Sequence, residues 1–414
     1  MTVTSTRPDL TPPTTRTRRV PRWVWVVLIA MSVPLVAVLA ETPDLTSEGL
    51  TGATLRFTVP ILLAGLGGLW AERGGTLNIG LDGMMIIGSW TGAWVALSYG
   101  PWAALLGGVI GGAFAGVFQA LLTQNLGVDQ AISGIVVNMM AIGLVRFLSS
   151  VTFAEEPGGS ITQSPTLEQL PLVSLPGAEL LLGPLAGQGI LFLSDAAAIM
   201  LGLVTDVSVG TLLAFSLVPI TWWVLAKTRF GLRVRATGEN PAAADSLGVS
   251  PYRIHYLTQG ISGALAGLGG AYMVVVASSL YREGQIAGRG FIGLATVIFG
   301  NWHPGGVLTG SLLFGFTDAL RTRQEASVNA LLLLGAAILL ARCVWLFAAN
   351  RRKESLWYGA FGLPVLLWYL FGDGVPSELV SIAPYLVTLV VLMAAHHTLR
   401  PPAAVGVPYR RSEE

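Results

Sequence analysis

The chain has 414 residues, of which 53% are hydrophobic and only 11% are charged. Soluble domains carry about 25% charged residues, so this composition excludes a protein that faces water over most of its surface. The net charge of +1 gives no indication of a nucleic-acid partner. The single cysteine, Cys343, excludes an intramolecular disulfide and a cysteine metal cluster, and its apolar neighbours indicate a packing role.

Apolar runs recur along the whole chain, and each is about 20 residues long, enough to cross a hydrocarbon core roughly 30 Å thick. We therefore predict an all-α, polytopic transmembrane helical bundle. The candidate spans are 23–40, 52–71, 77–98, 101–123, 131–153, 207–226, 256–277, 288–300, 303–320, 328–349, 357–372 and 380–397. Two of these, 288–300 and 357–372, are short enough to be re-entrant or tilted.

The distribution of Lys and Arg predicts the orientation in the membrane, because basic residues are enriched on the cytoplasmic side. The polar, basic arm 1–22 is expected to be cytoplasmic and disordered, and to lead into a retained first helix rather than a cleaved signal peptide. No Lys or Arg occurs between Phe147 and Ala226. The acidic segment 154–206 is therefore predicted to be external.

Three further basic regions are predicted to lie on the cytoplasmic side. They are the loop 227–255, the cluster Arg351-Arg352-Lys353 and the tail 401–414. Counting about twelve spans from a cytoplasmic N-terminus places all of them inside. Arg321 and Arg323 fall outside in this count and are a mild exception.

A polar, glycine-rich stretch from Glu72 to Met85, ERGGTLNIGLDGMM, separates two apolar runs. At membrane depth such a stretch is tolerated only where it is buried in protein or lines a water-filled cavity. It predicts a broken helix near a translocation path, with Asn78 and Asp82 among the pathway residues. An ordinary loop at the cytoplasmic interface is the alternative. Asp82 either contacts a substrate or braces Asn78 and the nearby backbone.

A second break follows the run 288–300, where the turn from Asn301 to Gly306 contains a proline and two glycines. Broken helices in two separate halves often mark a transport pathway, so Thr296 and Asn301 are further pathway candidates. Asn138, which lies within an apolar span, must find a polar partner. It is either a link between helices or part of the pathway lining.

The cytoplasmic loop contains a candidate short helix. Asn240 is suited to cap it, Pro241 to its first position, and Gly248 to its end. A short helix that stands off the membrane has a shape suited to docking a partner, and an amphipathic connector is the alternative.

No catalytic or metal site is predicted. The chain lacks a Gly-Lys dipeptide and therefore a phosphate-binding P-loop, and its four histidines form no H-E-x-x-H motif. A Gly-x-Ser-x-Gly nucleophile elbow is also lacking, so an intramembrane enzyme is disfavoured. The charged residues Glu72, Arg73, Arg146 and Asp318 are either functional or anchors near helix ends.

These stretches resemble the membrane permeases of ABC importers in the branched-chain amino acid, ribose and nucleoside group. The resemblance covers about residues 52–320 and resumes at about 378–409. The run 72–85, the turn Gly300-Asn301-Trp302-His303-Pro304 and the tail Arg400-Pro401-Pro402-Ala403-Ala404-Val405-Gly406 look most like the purine-nucleoside branch, which depends on basic membrane lipoproteins.

The resemblance implies a permease domain over 23–400 with a core of about ten helices, so that 322–376 is an inserted extra helix pair. It also implies that the short helix seats on an ATPase subunit. The residues implied in this coupling are Gly238, Glu239, Asn240, Pro241, Ala243 and Gly248. The glutamate of the family's Glu-Ala-Ala-x-x-x-Gly pattern is missing here, where Ala242 stands instead.

Import of a nucleoside is the function that the resemblance implies, driven by ATP on a partner ATPase subunit and with no cofactor in this chain. The implied partners are a second homologous permease and an external substrate-binding lipoprotein. The implied location is the bacterial cell membrane, with both termini cytoplasmic. A sugar or a branched-chain amino acid is the alternative substrate, and an ion-coupled secondary transporter is the alternative class.

Overall fold

A computed structural model of the chain describes residues 46–188, 190, 192–321, 325–348, 351–372, 376 and 399–409. The predicted arm 1–22 and the predicted spans 23–40 and 380–397 lie outside these residues. Within them the fold is helical apart from one two-stranded antiparallel sheet, in which β1 (Leu172–Val173) pairs with β2 (Val207–Ser208). The predicted all-α bundle is confirmed.

The helices of the described residues follow one another in the order α1 (Glu48–Arg73), α2 (Leu81–Gln124), α3 (Gln130–Thr152), α4 (Ala178–Ala186), α5 (Leu193–Val204), α6 (Val209–Lys227), α7 (Arg229–Glu239), α8 (Pro241–Ser246), α9 (Pro251–Tyr272), α10 (Arg289–Phe299), α11 (Pro304–Leu320), α12 (Glu325–Ala348) and α13 (Arg352–Phe371). Helix α9 continues into a π-helical turn, Met273–Ser278.

Five helices in the described part of the chain are long and apolar enough to cross a membrane, namely α1, α2, α3, α6 and α9 with its π-helical turn. Helix α2 bends at Gly100, which has a φ of 77° and precedes Pro101. Its two limbs correspond to the predicted spans 77–98 and 101–123. The bend is physically expected, because proline removes a helical hydrogen bond and glycine accepts a positive φ.

Close helix packing holds the centre of the bundle together. Gly267 of α9 lies against Gly88 in the first limb of α2 and against Gly112 in the second limb, so closely that a side chain at either α2 position would overlap the α9 backbone. Small residues allow such approach between membrane helices, where burial from water supplies no driving force. Helix α9 therefore packs against both limbs of α2, which also contact each other through the bond from Thr91 to the carbonyl of Gly107.

Both predicted breaks are present. Helix α1 ends at Arg73 and α2 begins at Leu81, so residues 74–80 are not helical. Helix α10 has 11 residues and reaches only about 16 Å at 1.5 Å per residue, which makes it a half-span. A turn after Phe299 then leads into α11, whose first residue is Pro304.

The segment 154–206 is more ordered than a plain external loop. It contains β1, α4 and α5, and Gly202 of α5 packs against the backbone of Glu48 at the start of α1. The stretches that form α4 and α5 are rich in leucine and alanine, which favour helices. The segment packs on the bundle end opposite to the break at 74–80.

Two helices occupy much of the predicted insertion 322–376. Helices α12 and α13 pack against each other, and Ser355 of α13 donates a hydrogen bond to the carbonyl of Cys343 at 2.8 Å. Leu333 of α12 packs on an apolar cluster formed by the start of α1 and the end of α11. Cys343 thus has the packing position that its apolar neighbours indicate.

Candidate functional site

The unwound segment 74–80 is held by side chains of two other helices, α3 and α9. Asn78 is fully buried, donates to the hydroxyl of Ser262 in α9 at 2.8 Å and accepts from the amide of Gly80 at 3.0 Å. The side-chain oxygen of Gln130, at the start of α3, accepts from the amide of Leu77 at 2.6 Å. These bonds replace the helical ones that the break removes, as buried backbone groups require.

Asn138 of α3 binds the backbone of the break and of the helix that follows it. Its side-chain nitrogen donates to the carbonyl of Ile79 at 3.0 Å, and its oxygen accepts from the amide of Gly83 at 2.7 Å. The amide side chain is therefore satisfied by the unwound segment and by the first turn of α2. Of the two roles left open by the sequence, the contacts describe a link between α3 and the break.

Asp82 joins the two broken helices. Its carboxylate, in the first turn of α2, accepts from the amide of Gly290 in the first turn of α10 at 3.0 Å. The helix N-termini of α2 and α10 therefore meet at one negative charge. Free amides at a helix N-terminus favour an anion, so the carboxylate stabilises both ends. Asp82 braces this junction.

A cavity of about 270 Å³ opens beside Asp82. This volume is close to the lower end of the range for small-molecule sites, roughly 300–1,000 Å³. The residues that line the cavity come from α2, α3 and the connection before α10, and are Asp82, Ile86, Ser89, Ile142 and residues 281–288. Asp82 thus both braces the helix junction and borders this cavity.

The connection that closes this cavity carries hydrogen-bond donors. Burial raises the pKa of Tyr281 to about 12, and the nearby Glu283 acts in the same direction, so the phenol remains protonated. Arg146 of α3 approaches Glu283 at 3.9 Å. The cavity therefore offers neutral and charged polar groups next to the apolar Ile86 and Ile142.

A buried ion pair fixes the start of α10. Arg289 binds Asp318 of α11 at 2.7 Å, and both side chains are nearly inaccessible. Arg289 also donates to the carbonyl of Gln285 at 3.0 Å, which ties the connection to α10. Arg321, the mild exception to the orientation rule, lies 3.4 Å from the same carboxylate. Its charge is therefore compensated within the protein.

The two breaks also touch at their other ends. Arg73, the last residue of α1, donates to the carbonyl of Trp302 at 3.0 and 2.6 Å from two of its nitrogens. The indole of Trp302 donates in turn to the buried carboxylate of Glu72. Trp302 has a φ of 54°, a conformation rare for residues other than glycine. These contacts join the end of α1 to the turn between α10 and α11.

The five predicted pathway residues separate into two groups. Asn78, Asp82 and Asn138 come together around the unwound segment, and Asp82 reaches the cavity. Thr296 is buried, donates to its own helix at the carbonyl of Gly293 and packs against Gly310. Asn301 is exposed and accepts from the amide of Arg400 at 2.8 Å. The latter two do not line the cavity.

The short helix predicted in the basic loop is confirmed as α8. Asn240 accepts from the amide of Ala243 at 3.0 Å, Pro241 is the first helical residue, and Gly248 follows with a φ of 81°. Glu239 and Ala243 are exposed, and Leu247 at the end of the helix is 84% exposed. Gly238 lies against the backbone of Arg73, next to the first break.

Sequence reasoning missed the partners of these residues. Ser262 lies in the apolar run of α9. A polar residue in such a run needs a hydrogen-bond partner, as Asn138 does, so a functional contact of Ser262 could have been predicted. Gly290 contributes only its backbone amide and gives no sequence signal. Within the described ranges, no three His, Cys, Asp or Glu side chains meet in a way that could hold a metal ion.

Five of the described helices can cross a membrane, two helices are broken, and a cavity lies beside their junction; these are features expected of a transport permease. The profile of the family of branched-chain amino acid transport system permease components matches residues 50–342, more than half of the chain. The chain therefore belongs to this family. It is a multi-pass membrane protein and a transport component rather than an enzyme.

Three curated relatives are similar over most of the chain. Identity is 32% to the guanosine ABC transporter permease protein NupQ of Bacillus subtilis, over 86% of this chain and 95% of that relative. Identity to the nucleoside ABC transporter permease protein NupC of Lactococcus lactis is 37%, over 64% of this chain and 80% of that relative. Identity to TsgC13 of Haloferax volcanii, which is provisionally named a glucose ABC transporter permease protein, is 36%, over 69% of this chain and 80% of that relative. No solved structure matches the chain.

The family and these relatives identify the chain as the permease component of an ABC importer. Such a permease works with an ATPase subunit and a substrate-binding protein.

Proposed function

We propose that this permease imports nucleosides. The names of NupQ and NupC, for guanosine and for nucleosides, support this substrate class. The site supports it as well, because the Asp82 carboxylate balances the two helix N-termini that meet there. A cavity bordered by the Asp82 carboxylate, by charged residues of the connection 281–288 and by apolar side chains suits a neutral solute that carries hydroxyl and N–H groups. This junction at Asp82 is the observation that carries the proposal.

The pathway runs past the unwound segment, with Asp82 as the polar residue that borders the cavity and with Asn78 and Asn138 behind it, bound to the backbone of the segment. Asn78 and Asn138 hold the segment in its present shape through hydrogen bonds that a small movement exchanges for others. Thr296 and Asn301 belong to the second break and act there by packing and by contact with the tail. The transport step then rearranges the two breaks relative to the rigid contact between α2 and α9.

Helix α8 seats on the ATPase subunit. The exposed side chains of Glu239, Ala243 and Leu247 support this role, and Asn240 and Pro241 start the helix with the geometry of a stable cap. Two glycines border the helix. Gly238 packs against the backbone of Arg73, and Gly248 ends the helix with a positive φ. Movement of α8 on ATP binding thereby reaches the first break through Gly238.

A second homologous permease pairs with this chain on the α3 side. The side chain of Arg146 is 64% exposed there, near the partly open cavity, and a charge that faces lipid is costly. A substrate-binding lipoprotein docks on the opposite end from α8, over the folded segment 154–206. Both termini lie in the cytoplasm, on the side of α8 and its basic residues.

Uptake measurements test the proposal. Cells that lack this gene, with and without its restoration, receive labelled guanosine, other nucleosides, ribose, glucose or branched-chain amino acids. We expect nucleoside uptake to depend on the gene, to survive a proton uncoupler while ATP is maintained, and to stop when ATP is depleted. A defect in glucose uptake alone would favour the sugar alternative, which TsgC13 supports. Uptake abolished by the uncoupler at constant ATP would instead indicate an ion-coupled transporter.

A further inference from the structure

The C-terminal segment 399–409, here called the strap, lies across the end of the bundle that carries α8. Two consecutive prolines, Pro401 and Pro402, restrict the backbone at its start to extended conformations. Leu399 packs on the apolar cluster that contains Trp70 and Trp302. Pro402 and Ala404 are buried. The strap is therefore packed on the bundle rather than projecting from it.

The strap contacts both helix breaks. The amide of Arg400 donates to the side-chain oxygen of Asn301 at 2.8 Å, in the turn between α10 and α11. The amide of Ala404 donates to the carbonyl of Gly238 at 2.9 Å. A side chain added at Gly75 would lie 3.5 Å from the methyl of Ala404, so the strap also borders the first break.

The far end of the strap contacts α8. The hydroxyl of Tyr409 donates to the carboxylate of Asp245 in α8 at 3.1 Å. The ring of Tyr409 also packs on that of Tyr252, with 5.9 Å between the ring centroids. One short segment thus connects α8, the start of α9 and both breaks.

We propose that the strap transmits movement of α8 to the second helix break. Gly238 brings α7 directly against Arg73, so the first break has its own contact with the α7–α8 unit. The strap adds a route from Asp245 through Tyr409 and Arg400 to Asn301. Tyr409 and Asn301 are then positioning residues, which act through hydrogen bonds and not by contact with solute. This inference rests on the docking of the ATPase on α8.

Asn301 allows a matched pair of variants, because its φ is 50°. Glycine accepts this conformation but removes the acceptor for Arg400, and Asp keeps an acceptor oxygen and also tolerates positive φ. Asn301→Gly should therefore uncouple the second break, and Asn301→Asp should restore coupling. Tyr409→Phe removes the hydroxyl and keeps the ring. Tyr99→Phe, on an exposed tyrosine before the α2 bend, is its control.

The test uses the full complex of permeases and ATPase in lipid vesicles. One readout is solute uptake per ATP hydrolysed. The other readout does not depend on the solute. A single cysteine is placed in the cavity wall by Ile142→Cys, in a protein that also carries Cys343→Ser, and the effect of ATP on its labelling by maleimide is measured. We expect about fivefold lower uptake per ATP in Tyr409→Phe and in Asn301→Gly, the factor for one lost hydrogen bond, with the ATPase still bound.

The double variant should also lose the ATP-dependent change in labelling. Unchanged uptake per ATP in both single variants would overturn the proposal, and so would release of the ATPase from Tyr409→Phe, since the strap would then belong to the docking surface itself. Failure to restore coupling with Asn301→Asp would also contradict it. If the unmodified complex shows ATP-dependent labelling but imports no nucleoside, the proposed substrate is refuted. The role of the strap is then decided by the labelling of the variants alone.

Discussion

The carboxylate of Asp82 and the amide of Gly290 are 3.0 Å apart although the two residues are 208 positions apart in the chain. This bond joins the first turn of α2 to the first turn of α10, the two helices that begin within the bundle. It places a negative charge where the N-terminal ends of two helices meet. The junction is thus stable in one arrangement and depends on one side chain.

Variants of Asp82 separate its bracing role from its charge. We expect Asp82→Ala to lower uptake by roughly tenfold or more, because the buried amide of Gly290 loses its acceptor. Asp82→Asn keeps an acceptor oxygen and should retain most of the uptake. Initial rates of labelled nucleoside uptake measure both, with the exposed Glu155→Gln as a control for the loss of a carboxylate. Equal loss in Asn and Ala would show that the negative charge is required in addition to the acceptor oxygen.

The buried pair Arg289–Asp318 should be important for stability. Asp318→Ala leaves the guanidinium of Arg289 buried without this carboxylate, which costs about 3–5 kcal/mol. Arg321→Ala removes a partner of the same carboxylate whose side chain is 42% exposed, and should cost less than about 1 kcal/mol. Thermal unfolding in detergent measures both variants. Similar melting temperatures for the two would contradict a structural role of the buried pair.

The contact between α2 and α9 gives a matched test with glycines. Gly267→Ala inserts a methyl group into the backbone of α2 and should destabilise the bundle by about 1–3 kcal/mol or more. Gly143→Ala in α3 meets nothing within 4 Å and should be neutral or slightly stabilising. Yield and melting temperature of the purified protein compare them. If Gly267→Ala is tolerated as well as Gly143→Ala, the two helices are not packed as described.

Leu247→Asp tests the docking role of α8. The side chain is exposed, so the charge should leave folding and membrane insertion unchanged while weakening the proposed apolar contact with the ATPase. We expect loss of ATPase co-purification and of uptake. Leu180→Asp, an equally exposed leucine of α4 at the opposite end, is the control and should keep the ATPase. Retention of the ATPase by Leu247→Asp would refute docking at this end of α8.

Deletion of residues 324–376 tests whether α12 and α13 are an insertion. Because these helices pack chiefly on each other, the shortened protein should still insert in the membrane and import solute at a rate within about threefold of the full chain. The family match extends to residue 342, within α12, so the result also fixes where the family core ends. Loss of uptake or of the protein itself would show that the pair is integral.

Much of the architecture could be predicted from the sequence, because apolar runs and glycine- or proline-rich breaks report local properties. The break at 74–80, the half-span α10 and the cap at Asn240 all follow from such signals. The order within the segment 154–206 does not follow from them, because its prolines and glycines hide two short leucine- and alanine-rich helices.

The site was only partly predictable, because its contacts join distant parts of the chain. Asn138 signals that it needs a partner, but nothing in the sequence indicates that the partner is the backbone of Ile79 and Gly83. The place of Asn301 in a break predicts a pathway role, whereas its bond to Arg400 depends on the course of the tail. Pairings of this kind are decided by tertiary packing.

The glycine contact of α9 with both limbs of α2 has a consequence for how such a permease diversifies. Helices in backbone contact have no side chains to rearrange, so this part of the molecule behaves as a stiff frame. In the proposed mechanism, changes of solute preference then fall on the wall of the cavity, at positions such as Ile86 and Ile142, and leave the frame untouched. One scaffold can thereby be adapted to transport different solutes while its coupling to ATP hydrolysis stays the same.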